Sequence, residues 1–183
     1  MKYLKPPKRL RQRPQHKGLP VPYITMILDD GKPDFRVTDE KKRISVIANG
    51  WCQLCGEPLG KAFFFTGGID AAKANLYFEP ASHLDCLTYA MQVCPFIVGR
   101  INHADTNKLK SQYDNSGINI IEDDVFAAKR NPWWVIKKAD RWRHTFSPGG
   151  TLLLEPHEIL TTNRLHPETM TAADWHAVFS ALL

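Results

Sequence analysis

The sequence predicts an α+β protein built from small elements, and three observations predict it. Short aromatic or β-branched runs bounded by Asp-Gly, Gly-Gly and Pro-Gly signals read as strands: VPYITMIL, DFRV, KAFFFTGG, ANLYFEP, NPWWVIKK, RWRHTF and GTLLLEP. Three segments carry helix starts or stops, TDEKKRISVIANG, SHLDCLTYAMQVCP and TMTAADWHAVFSALL. Four potential metal ligands fall in two pairs, Cys52 with Cys55 and His83 with Cys86. At 183 residues and 43% hydrophobic, the chain is long enough for one domain with its own core.

Taken in order, residues 1–18 form a basic, Pro-rich arm, expected to be flexible because it holds too few apolar residues to fold alone. Asp30-Gly31 is a hairpin turn between VPYITMIL and DFRV. The next helix takes Thr38 as its N-cap, Asp39 and Glu40 in its first turn and Gly50 as its stop. It delivers the chain into the Cys52 knuckle, which closes residues 19–98 as a metal domain. KAFFFTGG and ANLYFEP read as a hairpin around Gly67-Gly68. Ser82 reads as the N-cap of a helix from His83 to about Val93. Residues 99–130 are a polar connection. In residues 131–183, strands turn at Pro148-Gly149-Gly150 and a last helix, capped by Thr171 with Asp174 in a near capping box, docks through Trp175, Phe179 and Leu182.

CxxC followed by Gly56 is the tight turn that brings two thiolates together, and His83 and Cys86, at i and i+3, share one helical turn. The expected ligands are therefore Cys52, Cys55, His83 and Cys86, and the expected metal is zinc in a structural role. Cys94 is the alternative fourth ligand. It lies 8 residues beyond Cys86, about 12 Å along a helix, which favours His83 in the shell and Cys94 as a small apolar residue before Pro95. Knuckle, hairpin and helix in this order resemble a treble-clef zinc finger. No apolar leader is evident and no run of 18 apolar residues occurs, so a reduced, cytoplasmic protein is expected.

The motifs also resemble a family of uncharacterised bacterial and phage-borne proteins. They are VPYITMILDDGKPDFRV, the C-x-x-C-G-x-x-L-G knuckle from Cys52 to Gly60, E-P-x-S-H-x-x-C from Glu79 to Cys86, Cys94-Pro95-Phe96, RNPWWV and the closing helix. FTGGIDAAKANLYFEP departs from the shorter, more apolar stretch such members have. The resemblance implies a zinc site at the four ligands, and its phage-borne setting implies action on a host protein as one alternative.

Charge narrows the function classes. The chain carries +5, yet residues 1–17 hold seven Lys or Arg and no acid, leaving 17 basic against 19 acidic residues elsewhere. The arm (Lys5, Lys8, Arg9, Arg11, Arg13, Lys17) reads equally as a phosphate-binding segment, a solvated tail or a docking peptide for a protein partner. WWVIKKADRWRHTF interleaves Trp133, Trp134 and Trp142 with Lys137, Lys138, Arg141 and Arg143, an aromatic-basic pattern suited to nucleic acid. The expectation is a zinc-stabilised nucleic-acid-binding protein, DNA or RNA, with no membrane partner; the alternative is a protein-interaction module.

Catalysis is weaker. An HNH-type nuclease needs a general-base histidine after the knuckle, and none occurs between Cys55 and His83. A zinc hydrolase would need His83 released from the ion, and the deaminase pattern lacks its H-x-E. Glu122, Asp123 and Asp124 are consecutive and diverge. Pro33-Asp34 with Glu40-Lys41-Lys42 is too closely spaced for a restriction-type nuclease motif. His103, His157, His166 and His176 show no ligand spacing.

Overall fold

The computed structural model describes residues 4–100, 111, 113 and 132–183. The polar connection, including Glu122, Asp123, Asp124 and His103, lies almost wholly outside them, as does Lys2.

The described chain is α+β with three small antiparallel sheets. Helix α1 (Lys8–Arg11) is followed by a two-residue hairpin of β1 (Gln15–His16) and β2 (Leu19–Pro20). Lys17 and Gly18 both take positive φ, 50° and 79°, as the turn between such strands requires. The boundary expected after residue 18 therefore falls inside a hairpin. Nor is the arm free at residues 8–16, because the buried Leu10 supplies the anchor that composition alone does not reveal.

Strands β3 (Thr25–Ile27) and β4 (Pro33–Thr38) form the expected hairpin around Asp30-Gly31. Helix α2 (Glu40–Asn49) follows, with Asp39 rather than Thr38 as N-cap, its carboxylate accepting from the Lys42 amide, and Gly50 left-handed at the stop.

Strand β5 (Phe63–Gly68) departs from expectation. Gly67 and Gly68 are not a turn but the end of the strand, paired with Val135 and Trp134. Gly67 is needed for close approach: a Cβ there would lie 3.0 Å from Ala71 Cβ and 3.2 Å from the Tyr77 ring. The chain runs directly into helix α3 (Ile69–Ala74). ANLYFEP forms no strand; it makes one bridge, Tyr77 to Leu154, and the return beside β5 shrinks to another, Phe64 to Ser82.

Helix α4 (Leu84–Val93) precedes the polar connection; β6 (Trp134–Phe146) and β7 (Leu152–Leu165) complete a sheet of order β5-β6-β7. Helix α5 (Ala172–Leu182) has the capping box at Thr171 and Asp174. Trp175 and Leu182 bury against Leu84, Leu87 and Met91 of α4 and Ile136 of β6, each worth about 1.5–3 kcal/mol. A second cluster joins Ile47, Phe63, Phe65, Tyr77 and Leu154.

One polar anchor in β4 is pH-dependent. Asp34, 7% exposed, accepts from Arg36 Nη2 at 2.6 Å and Nε at 2.8 Å and from the Tyr113 hydroxyl at 2.8 Å. The Arg36 hydrogen bonds, against the opposing effect of burial, hold its carboxyl at about 2, below the ordinary 3.8. A depressed carboxylate stabilises the fold above its unfolded value and loses that effect as pH falls towards its folded one. Asp34→Asn is expected to lower unfolding free energy by about 1–2 kcal/mol at pH 7. Denaturant titrations should show the gap closing between about pH 4 and pH 2; a pH-independent gap would exclude the ionised pair as its source.

Candidate metal centre

The first half-site is built by backbone hydrogen bonds. Trp51 bridges to Pro58, the Cys52 amide donates to the Glu57 carbonyl at 2.8 Å, and the Gly56 amide donates to the Cys52 carbonyl at 2.8 Å. The Glu57 amide points at Cys55 Sγ, 3.4 Å away. Gly56 sits at φ 82°, and a side chain there would collide with the Tyr23 ring, so this position requires glycine on two counts.

The second half-site is set by the start of α4. Ser82 is not its N-cap; its amide and carbonyl are both engaged with Phe64, so the helix begins one residue later with His83 in the cap position. The imidazole is turned inwards. Its Nε2 lies 3.0 Å from the Pro58 carbonyl, and Nδ1 lies 3.4 Å from Cys55 Sγ. A carbonyl only accepts, so Nε2 carries the proton and the Nδ1 lone pair is left for a metal.

Gln53, between the cysteines, joins the halves: its amide donates to the Ala81 carbonyl at 3.2 Å and its side chain to the Pro80 carbonyl at 2.5 Å. Sequence reasoning missed this residue, because nothing in CQLC marks the buried glutamine as a connector.

The donor atoms of Cys52, Cys55, His83 and Cys86 all lie within 4.8 Å of one another. Tetrahedral zinc, with Zn–S about 2.3 Å and Zn–N about 2.0–2.1 Å, spaces its donors about 3.5–3.8 Å apart. The three thiols are buried and His83 is half-buried. Among the described residues no other such group of His, Cys, Asp or Glu converges. Cys94 is a free thiol at the C-cap of α4, outside the group.

Electrostatics points the same way. Burial opposes ionisation of Cys52, but hydrogen bonds from Cys55, Cys86 and His83 hold it far below the ordinary thiol value. Hydrogen bonding to Cys52 and Cys55, with burial, pushes Cys86 far up. Burial opposes the charge of His83, yet the Cys52 and Cys55 sulfurs raise it to about 10. Crowded donors share protons in this way, and a cation bound by them displaces those protons. The four residues can hold a metal ion.

The cationic residues expected to touch nucleic acid divide into two sets. Lys5, Lys8, Arg11 and Lys17 are exposed. Arg9 pairs with Glu57 at 3.1 Å and Asp85 at 3.0 Å, while Arg13 donates to the Val21 carbonyl and lies over the Tyr23 ring.

On β6 the aromatic-basic pattern is divided between covered and exposed residues. Lys137 is 7% exposed, its ammonium donating to the Ala72 carbonyl and Asn75 at the end of α3. Lys138 donates to the Leu182 and Leu183 carbonyls. Arg141 faces Glu158, and Arg143 lies against His157 and Glu155. Trp142 packs edge-on against Phe63 at 4.7 Å, Trp134 against Phe96, and Arg164 stacks over Trp133 at 4.2 Å. Lys137 and Lys138 lie where α3 and the last helix cover the strand, whereas the Arg141 and Arg143 side chains, 71% and 69% exposed, lie beyond that cover.

No helix among the described residues is long and apolar enough to cross a membrane. No family model, curated protein or solved structure matches this chain.

Proposed function

We propose that the chain is a zinc-stabilised binding protein that contacts nucleic acid through its N-terminal arm. Zinc suits the Cys-Cys-His-Cys donor set, and four protein ligands fill its tetrahedron, which favours a structural ion over one that activates water. Cys52 and Cys55 of the knuckle, Cys86 of α4 and Nδ1 of His83 would hold it. The order of knuckle, β5 with its return at Ser82, and α4 supports a treble-clef-like element whose hairpin has been opened by the insertion of α3.

The observation that carries the nucleic-acid reading is the charge separation: all the excess positive charge lies in residues 1–17, with Lys5, Lys8, Arg11 and Lys17 exposed. Phosphate neutralisation by such residues releases counterions. Fluorescence anisotropy of short DNA and RNA at about 50–200 mM salt should show binding whose salt dependence flattens in a Lys5→Gln/Lys8→Gln/Arg11→Gln/Lys17→Gln protein, by about 0.7–0.9 in log–log slope per contact removed. Equal affinity and slope in the two proteins would overturn the role of the arm. Absence of binding by either would redirect the reading to an acidic protein partner.

A further inference from the structure

The arm and the metal centre are in direct contact. Leu10, 3% exposed, packs in one cluster with Cys52, Cys55, Cys86 and Tyr89. Its neighbour Arg9 spans the two half-sites from outside, Nε on Glu57 of the knuckle and Nη1 on Asp85 in the first turn of α4. The other carboxylate oxygen of Asp85 accepts from the Cys86 amide at 3.0 Å, so Arg9 is one residue removed from a ligand on each side. Tyr23, beneath Arg13, lies against Gly56 and donates its amide to the Leu54 carbonyl at 3.0 Å. The arm thus crosses the centre twice. An open cleft of about 380 Å³ beside His83 has Arg9 as part of its wall, so withdrawing the arm widens solvent access to that ligand.

We propose that residues 7–13 are the outer wall of the metal centre, Arg9 and Leu10 being its positioning residues, and that metal occupancy and arm docking form one coupled equilibrium. The inference rests on the reading of the four ligands as a metal site. Its electrostatic sign is clear. Three thiolates and a neutral imidazole around a divalent ion leave a net charge of about −1, whereas protonated thiols carry none. Arg9, held on Glu57 and Asp85 beside the ligands, and Arg13, over the Tyr23 ring that lies against Gly56, are the arm's cations nearest that charge. The metal-loaded centre therefore holds the arm more strongly than the metal-free one. Reciprocity requires that a docked arm hold the metal more strongly by the same factor. The exposed cations Lys8 and Arg11, on the same short helix, are displayed in a fixed array only while the centre is loaded.

Metal transfer from the full-length protein to a chromogenic chelator tests this. Elemental analysis first establishes one metal per chain in the wild-type protein. Arg9→Gln and Leu10→Ala, which leave every ligand in place, are expected to lose metal about 10–100-fold more readily, the range typical when a ligand's supporting contacts are removed. Arg9→Lys should recover part of the retention, and Lys8→Gln and Arg11→Gln should match the wild type. Asp34→Asn serves as a destabilised control that should also retain its metal. In parallel, trypsin should cut after Arg9 and Arg11 faster in the chelator-treated protein and in Leu10→Ala than in the loaded wild type. Wild-type retention by Arg9→Gln and Leu10→Ala, at full metal content, would overturn the coupling alone. So would metal loss by Asp34→Asn equal to theirs, since general destabilisation would then suffice. Absence of stoichiometric metal in the wild-type protein would overturn the metal reading and the coupling together.

Discussion

Cys52→Ser and Cys86→Ser proteins are expected to lose their metal and to melt roughly 10 °C or more below the wild type, or without a cooperative transition. Both cysteines are fully buried, and among the described residues the cluster around them contains Leu10, Cys55 and Tyr89 besides, with Leu54, Leu59 and Val93 at its edge. Such a group of side chains is too small to offset the entropy of ordering the knuckle, residues 21–24 and the arm. On the proposed reading, metal ligation would supply the difference; in isolated zinc fingers it reaches about 10–16 kcal/mol. The other two apolar clusters do not involve these thiols, so the sheet and α5 should keep residual structure when the centre fails. Cys94→Ser is the matched control, because that thiol lies outside the donor group. Metal content by elemental analysis and melting by circular dichroism distinguish the cases. A Cys52→Ser protein with full metal and unchanged melting would remove the basis of the site.

The site was legible in the sequence because its geometry is mostly local. CxxCG encodes the turn, and the i, i+3 relation of His83 and Cys86 needs only that a helix begin there, one residue either way. The hairpin at Asp30-Gly31, the Gly50 stop and the Thr171 cap were legible for the same reason. What failed was long-range. A glycine needed for close packing, as Gly67 is against Tyr77, looks the same in sequence as a turn glycine. Leu10 looks like a stray apolar residue in a basic tail until its partners, more than forty positions away, are placed beside it. Lys137 and Lys138 have the composition of a phosphate-binding pair, yet a central strand turns both inwards to helix carbonyls. Charge can be counted from a sequence; availability of charge depends on topology.

Arg43 carries that lesson furthest, and its replacement has the second large effect. Nothing in TDEKKRISVIAN sets it apart from the neighbouring lysines, but its side chain is completely buried. The guanidinium donates Nε to the Phe78 carbonyl at 3.0 Å, Nη1 to Glu40 at 2.6 Å and Nη2 to the Leu152 carbonyl, and lies 3.9 Å over the Phe78 ring. It thereby ties α2 to the segment after Tyr77 and to the start of β7, two regions that share no regular pairing with α2. Burial lowers its pKa against the opposing effect of Glu40, yet arginine remains charged. Arg43→Met preserves much of the volume while leaving the Phe78 and Leu152 carbonyls without their donor, each worth about 1–3 kcal/mol if water cannot enter. The expected loss for the two carbonyls together is therefore about 3–5 kcal/mol. Arg43→Lys should lose somewhat less, since a single ammonium cannot reach three acceptors in a fork. Denaturant unfolding at saturating metal measures both without the linkage that variable metal content would add. If Arg43→Met falls within about 0.5 kcal/mol of the wild type, in the range of ordinary surface changes, the carbonyls are hydrated and the guanidinium is not the tie between α2 and β7.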